Sequence, residues 1–167
     1  MDGVTKITVD ANNKKFHTAG NCLIETDAKS LVQAFVCSEI PSDGSVAFID
    51  TTAFSYLGTL ETMYIPKGVT ELHIFFHYCT SLKYVRIESD VTKILCHASA
   101  GNGDFNVFFC HNSEEWESVD MIKTYEGGIR PVDEFNDKAV HYLYSETEPA
   151  KSGNFWHYVD GEIVIWE

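Results

Sequence analysis

The feature that most constrains this chain is an internal repeat. Laid over residues 69–87, residues 46–65 match at a constant offset of 22. Phe54 falls on Phe76, Tyr56 on Tyr78, Leu60 on Leu82, Met63 on Val85 and Ile65 on Ile87. The flanks IPSDGSV (40–46), IPKGVTEL (65–72) and IESDVTKI (87–94) agree with a slippage of one to three residues. A unit of this size cannot bury its apolar side alone, so copies must stack. In Leu82-Lys83-Tyr84-Val85-Arg86-Ile87, residues 85 and 87 point one way and residues 84 and 86 the other, as a strand requires. Strands stacked about 5 Å apart then form a parallel sheet over one continuous core. Pro41 and Pro66 start the turns that Gly44 and Gly68 tighten. ITV (7–9) and NVFF (106–109) read as frayed copies, the second after a longer turn containing GNGD (101–104).

After residue 110 the period is lost. HYLYSETEP (141–149) and FWHYVDGEIVIWE (155–167) read as strands, and Asp160-Gly161 between HYV and IVIW signals a hairpin. Trp156, Tyr158, Ile163, Ile165 and Trp166 are expected on one apolar face of that hairpin, covering the open end of the array. Ser113-Glu114-Glu115-Trp116 is the best helical segment, with Ser113 as its expected N-cap.

IPKGVTEL-x-x-x-F-x-x-CTSLKYVRI (65–87), GNCLIET-x-x-K-x-L (20–31) and YSETEP-x-x-x-GNFWHYVDG (144–161) carry a resemblance. On these residues the chain resembles the BspA-like leucine-rich repeat family of bacterial surface proteins. The resemblance implies a right-handed solenoid, display outside the cell or at its surface, and binding or adhesion in place of catalysis. The expected fold is thus mostly β: a leucine-rich-repeat solenoid of parallel strands with a period of about 22 residues and a C-terminal β-hairpin cap. Residues 1–110 form the array and 111–167 the capping segment of a single structural domain.

Charge and composition narrow the function. Twelve Lys and Arg against 25 Asp and Glu give a net charge of −13, which repels phosphate backbones and argues against nucleic acid. No window of 18 apolar residues is present, so no membrane insertion is expected. MDGVTKITVD lacks the basic and apolar regions of a signal peptide, which leaves a cytoplasmic chain and a processed, exported one both open. Cys22, Cys37, Cys79, Cys96 and Cys110 are an odd number at irregular spacing, so buried free thiols are expected rather than a disulfide framework.

Candidate chemistry is sparse. His73-x-x-x-His77-x-Cys79, with Cys96-His97 and Cys110-His111, has metal-ligand residue types. Zinc needs three or four of them to converge, and the repeat register sets His73 in a variable turn away from Cys79. GNGD lacks the further carboxylates that calcium requires. No metal and no cofactor are expected. Neither a G-x-S-x-G elbow nor a phosphate-cradling glycine loop occurs, and Glu114, Glu115 and Glu117 on one short helix read as a solvated face. No enzymatic activity is expected.

The informative signal is aromatic. Residues pointing outward from the strands run Lys6/Thr8, Thr62/Tyr64, Tyr84/Arg86 and Asn106/Phe108. Tyr, Arg and Phe are enriched at interface cores. Tyr64, Tyr84, Arg86 and Phe108 are therefore the candidate binding residues of a non-enzymatic recognition module for a protein partner, such as one in bacterial adhesion. Two alternatives stand beside it. One is a carbohydrate-binding module using Tyr64, Tyr84, Trp116 and Trp156. The other is a structural spacer that presents something else.

Overall fold

Each repeat period carries two apolar segments, and each becomes a short strand. The structure is a computed structural model and describes residues 3–74, 76–88, 90–96, 103–121 and 139–167. One sheet contains β1 (Phe16–Ala19), β2 (Cys22–Glu25), β3 (Ser30–Gln33), β4 (Phe48–Ile49), β6 (Glu71–Ile74), β8 (Lys93–Cys96) and β10 (Asp120–Met121), in the spatial order β1-β2-β3-β4-β6-β8-β10. The other contains β5 (Thr62–Ile65), β7 (Tyr84–Ile87), β9 (Phe105–Phe109), β11 (Ala139–Tyr144), β12 (Phe155–Val159) and β13 (Glu162–Ile165), in the order β13-β12-β11-β9-β7-β5. From β4 to β11 the chain alternates between the sheets.

This arrangement corrects the expected fold. In place of a regular leucine-rich-repeat solenoid of parallel strands there are two mixed sheets. The first begins with antiparallel β1/β2 and β2/β3 pairs, and the second ends with the antiparallel β12/β13 pair. Two physical causes operate. Glu71-Leu72-His73-Ile74, read as part of a return turn, alternates polar and apolar residues and so forms β6 in the other sheet. Both ends of the chain also carry two-residue turns whose positive φ matches strand twist. These are Gly20-Asn21 at 55° and 58°, and Asp160-Gly161 at 50° and 86°. Such turns force the next strand back antiparallel. ITV (7–9) forms no strand, so Lys6 and Thr8 belong to neither sheet.

The sheets share one core. Ile49, Leu72 and Ile94 line it from the first sheet, and Ile65, Val85, Ile87 and Val107 from the second, all at most 3% exposed. Leu60, Leu82 and Met63 are buried with them, as are Phe54 and Phe76. Within the second sheet the parallel pairs keep the repeat offset, Thr62 opposite Tyr84 and Tyr84 opposite Asn106. The hairpin face expected to be covered is mostly open. Trp156 is fully buried, but Tyr158 and Ile165 remain 40% and 41% exposed. Trp166 lies on the opposite face against His157, with ring centroids 3.9 Å apart.

Helix α1 (Ser113–Glu117) is capped by Asn112, not Ser113. The Asn112 Oδ1 accepts the Glu114 and Glu115 N–H groups at 2.9 Å, and Glu115 Oε2 accepts the Asn112 N–H at 2.9 Å. This reciprocal box satisfies both ends of the pair, which a serine one residue later could not do.

His141 points inward from β11, half-buried against Phe109 at 5.4 Å between ring centroids. Burial pushes its imidazole down to about 4. The unfolded chain therefore takes up this proton first. Stability from the neutral ring is complete above about pH 6.5 and is lost as pH falls from there towards 4. The slope stays below about 1.4 kcal/mol per pH unit, because solvent reaches part of the ring. Urea melts at pH 7 and pH 5 should differ less for His141→Gln than for the parent chain. An equal difference in both would place the sensitivity elsewhere.

Candidate functional site

The outward face of the second sheet gathers its aromatic residues by strand alternation. Register puts Tyr64, Arg86, Phe108 and Tyr142 in one row across β5, β7, β9 and β11. Thr62, Tyr84, Asn106 and Val140 form the neighbouring row. The four sequence candidates are thus adjacent on consecutive strands. Tyr84 meets Phe108 edge-on at 5.9 Å, and Phe108 stacks on Tyr142 at 5.1 Å.

The tail adds to this face. Pairing of Tyr144 with Trp156 and of Tyr158 with Ile163 sets those four residues on the same side as Phe108. Trp156 lies 5.8 Å from Phe108 and 4.9 Å from Tyr158 between ring centroids. Ile163 of β13 lines a hollow of about 240 Å³ together with Thr62, Met63, Tyr64, Tyr84 and Arg86. The two edge strands of the sheet, β13 and β5, therefore border one hollow, and the sheet curls over its own aromatic side. Phe108 becomes a floor residue at 5% exposure, which corrects its assignment to a free contact surface. Tyr64 and Tyr84 stay open at 44% and 38%.

Arg86 is the cation among the described residues that line the hollow. Its guanidinium carbon sits 4.1 Å from the Tyr64 ring centroid, a cation–π distance. Nη2 approaches Glu88 Oε1 at 3.9 Å, and the Tyr64 hydroxyl donates to the same oxygen at 2.9 Å. Burial works against the Arg86 charge, but the Tyr64 hydrogen bond and the nearby Tyr158 more than offset it and raise its basicity. Burial raises the Tyr64 and Tyr158 phenols as well. They stay protonated at neutral pH and remain donors. The buried Arg86 Nε has no hydrogen-bond partner among the described residues. Cys110, beside Glu88, is pushed up to about 12, first by burial and then by that carboxylate, so it stands as a neutral thiol.

The remaining candidates fall elsewhere. His73 Nε2 lies 2.8 Å from Glu71 Oε1, and the Cys79 thiol donates to the Phe54 carbonyl at 2.9 Å. His111 is buried with Nε2 2.6 Å from the Val91 carbonyl. No group of three His, Cys, Asp or Glu among the described residues could hold a metal ion. His97 and residues 101–102 of GNGD lie outside the described residues, as does the Cys96 side chain. Cys22, Cys37, Cys79 and Cys110 are in no disulfide. Trp116 packs on Phe109 at 4.3 Å and Trp156 is fully buried, so neither presents a free ring for a sugar.

Sequence reasoning missed Tyr142 and Tyr144, and set Trp156, Tyr158 and Ile163 on a capping face, not beside Phe108. Two-residue alternation in 139–144 and 155–159 was the available signal. Their register was hidden, because Phe108 pairs with Tyr142, well beyond one repeat period along the chain. No helix among the described residues is long and apolar enough to cross a membrane. A scan against protein-family models finds no match to the chain, and searches of curated proteins and of solved structures find none either.

Proposed function

We propose that this chain is a non-enzymatic recognition module that binds a protein partner on the curled aromatic face of its second sheet. The observation that carries this reading is the Arg86 guanidinium, on a side chain 28% exposed and 4.1 Å from the Tyr64 ring centroid, set among the open rings of Tyr64 and Tyr84. A carbonyl or carboxylate oxygen of a partner pairs with its terminal nitrogens, while the rings supply desolvated area at low entropic cost. The resemblance of the repeat residues to bacterial surface proteins supports a role in adhesion.

The test is comparative capture. Host-cell or neighbouring-cell extract is passed over the parent chain and over the Tyr64→Ala/Tyr84→Ala/Arg86→Ala triple variant. A partner held by the parent and lost by the triple variant is expected. Tyr84→Ala and Arg86→Ala should each weaken its binding by ~1–4 kcal/mol, as interface anchors do. Thermal melting of Tyr84→Ala should move little, since its ring stands open at 38%. Equal affinity of the parent and the triple variant for that partner would sink the reading.

A further inference from the structure

A groove of about 730 Å³ runs along β5 on the side away from β7. Phe54, Leu60 and Met63 line its depth, and its far wall is the chain through 35–42, including Phe35 and Ile40. β5 is the terminal strand of its sheet. The Tyr84 N–H donates to the Glu61 carbonyl at 3.4 Å and the Glu88 N–H to the Ile65 carbonyl at 3.1 Å. Odd-numbered residues of β5 therefore serve β7. The N–H and C=O groups of Thr62 and Tyr64 face the groove, where no described strand pairs with them.

The repeat explains why the place is empty. One period before Thr62–Ile65 stands Ile40-Pro41-Ser42-Asp43, where a preceding strand would lie. Pro41 has no N–H to give. The Glu39 N–H is already donated to the Gly20 carbonyl at 2.8 Å, and a Cβ at Gly20 would collide with the Glu39 carbonyl oxygen. The segment is thus tied to the first hairpin and stands off as a wall.

We infer that this groove takes an extended segment of a partner protein, added to β5 as a further strand. Thr62 and Tyr64 supply the backbone hydrogen bonds. Alternate side chains of the segment, being apolar, descend towards Leu60 and Met63. The flanks of the segment are basic, because a chain of net charge −13 attracts Lys and Arg and repels acidic segments, a second copy of itself included. The inference does not rest on the Arg86 face, since its hydrogen bonds come from the β5 backbone.

The experiment uses the full chain and a phage-displayed library of random twelve-residue peptides. Selection should enrich sequences with alternating apolar residues, Lys or Arg, and no central proline. Binding of a selected peptide should slow amide exchange at Thr62 and Tyr64. Thr62→Pro, which removes a groove-facing N–H and leaves the β7 ladder intact, should weaken binding at least tenfold. N-methylating alternate amides of the peptide should abolish binding in one phase of the alternation and spare it in the other, a result that needs no variant of the chain. No enrichment, enrichment of acidic peptides, equal sensitivity in both phases, or unchanged binding to Thr62→Pro would each overturn the inference. Tyr84→Ala should bind the selected peptides as the parent does. A groove that fails while the triple variant loses its captured partner would leave the aromatic-face reading standing, and the reverse result would leave the groove standing.

Discussion

Trp156→Ala is expected to lower the unfolding free energy by ~3–5 kcal/mol, the range for removing a large buried aromatic. Trp156 is fully buried, and its indole N–H donates to the Phe109 carbonyl at 2.8 Å. Its ring touches Phe108, Tyr144 and Tyr158. Truncation therefore opens a cavity, strips a buried carbonyl of its donor and loosens β12 from β9 and β11. Trp166→Ala is the matched control. It also removes an indole and a hydrogen bond, to the Ser145 carbonyl at 3.0 Å, but from a half-buried edge. Urea melts of the two variants should separate by more than about 1 kcal/mol on these magnitudes. Equal losses would show that the aromatic side of the second sheet contributes nothing special to folding.

Phe76→Ala is the second large effect, again ~3–5 kcal/mol. Phe76 is 2% exposed and lies between two other rings, Phe54 at 6.4 Å and Phe105 at 5.9 Å between centroids. Its loss removes contacts to the rungs before and after it, so one cohesive unfolding transition should persist at lower denaturant. Lys83→Ala, whose ammonium pairs with Glu61 at 2.6 Å on an exposed surface, should stay within about 0.5 kcal/mol. A loss for Lys83→Ala as large as that for Phe76→Ala would refute the assignment of inward and outward positions.

These residues show what could be read from the sequence and what could not. Phe54 and Phe76 were legible because nothing interrupts the offset of 22 between them. Phe105, the next ring in contact, was not, because it stands one period after Lys83 and not after Phe76. Inward and outward alternation in 62–65 and 84–87 was equally legible, so Tyr64, Tyr84 and Arg86 were correctly set side by side. The architecture was not. A period fixes that copies stack, but not how many strands each copy contributes, and the short β6 and β8 were taken for turn. The burial of Phe108 was hidden for another reason. It depends on a tail whose pairing partner, Tyr142, falls outside the repeat, and no local pattern encodes that separation.

The constant offset between β5, β7 and β9 also bears on how such a chain can change in length. Thr62, Tyr84 and Asn106 stand in one row, as do Met63, Val85 and Val107. Duplicating or losing one whole period between them inserts or removes one rung, and every surviving neighbour finds an equivalent partner. A change of an odd number of residues within a strand inverts its faces and turns core residues outward. The geometry of this region therefore favours changes of length in whole periods. The aromatic face would widen or narrow with each step, so recognition area and chain length would evolve together.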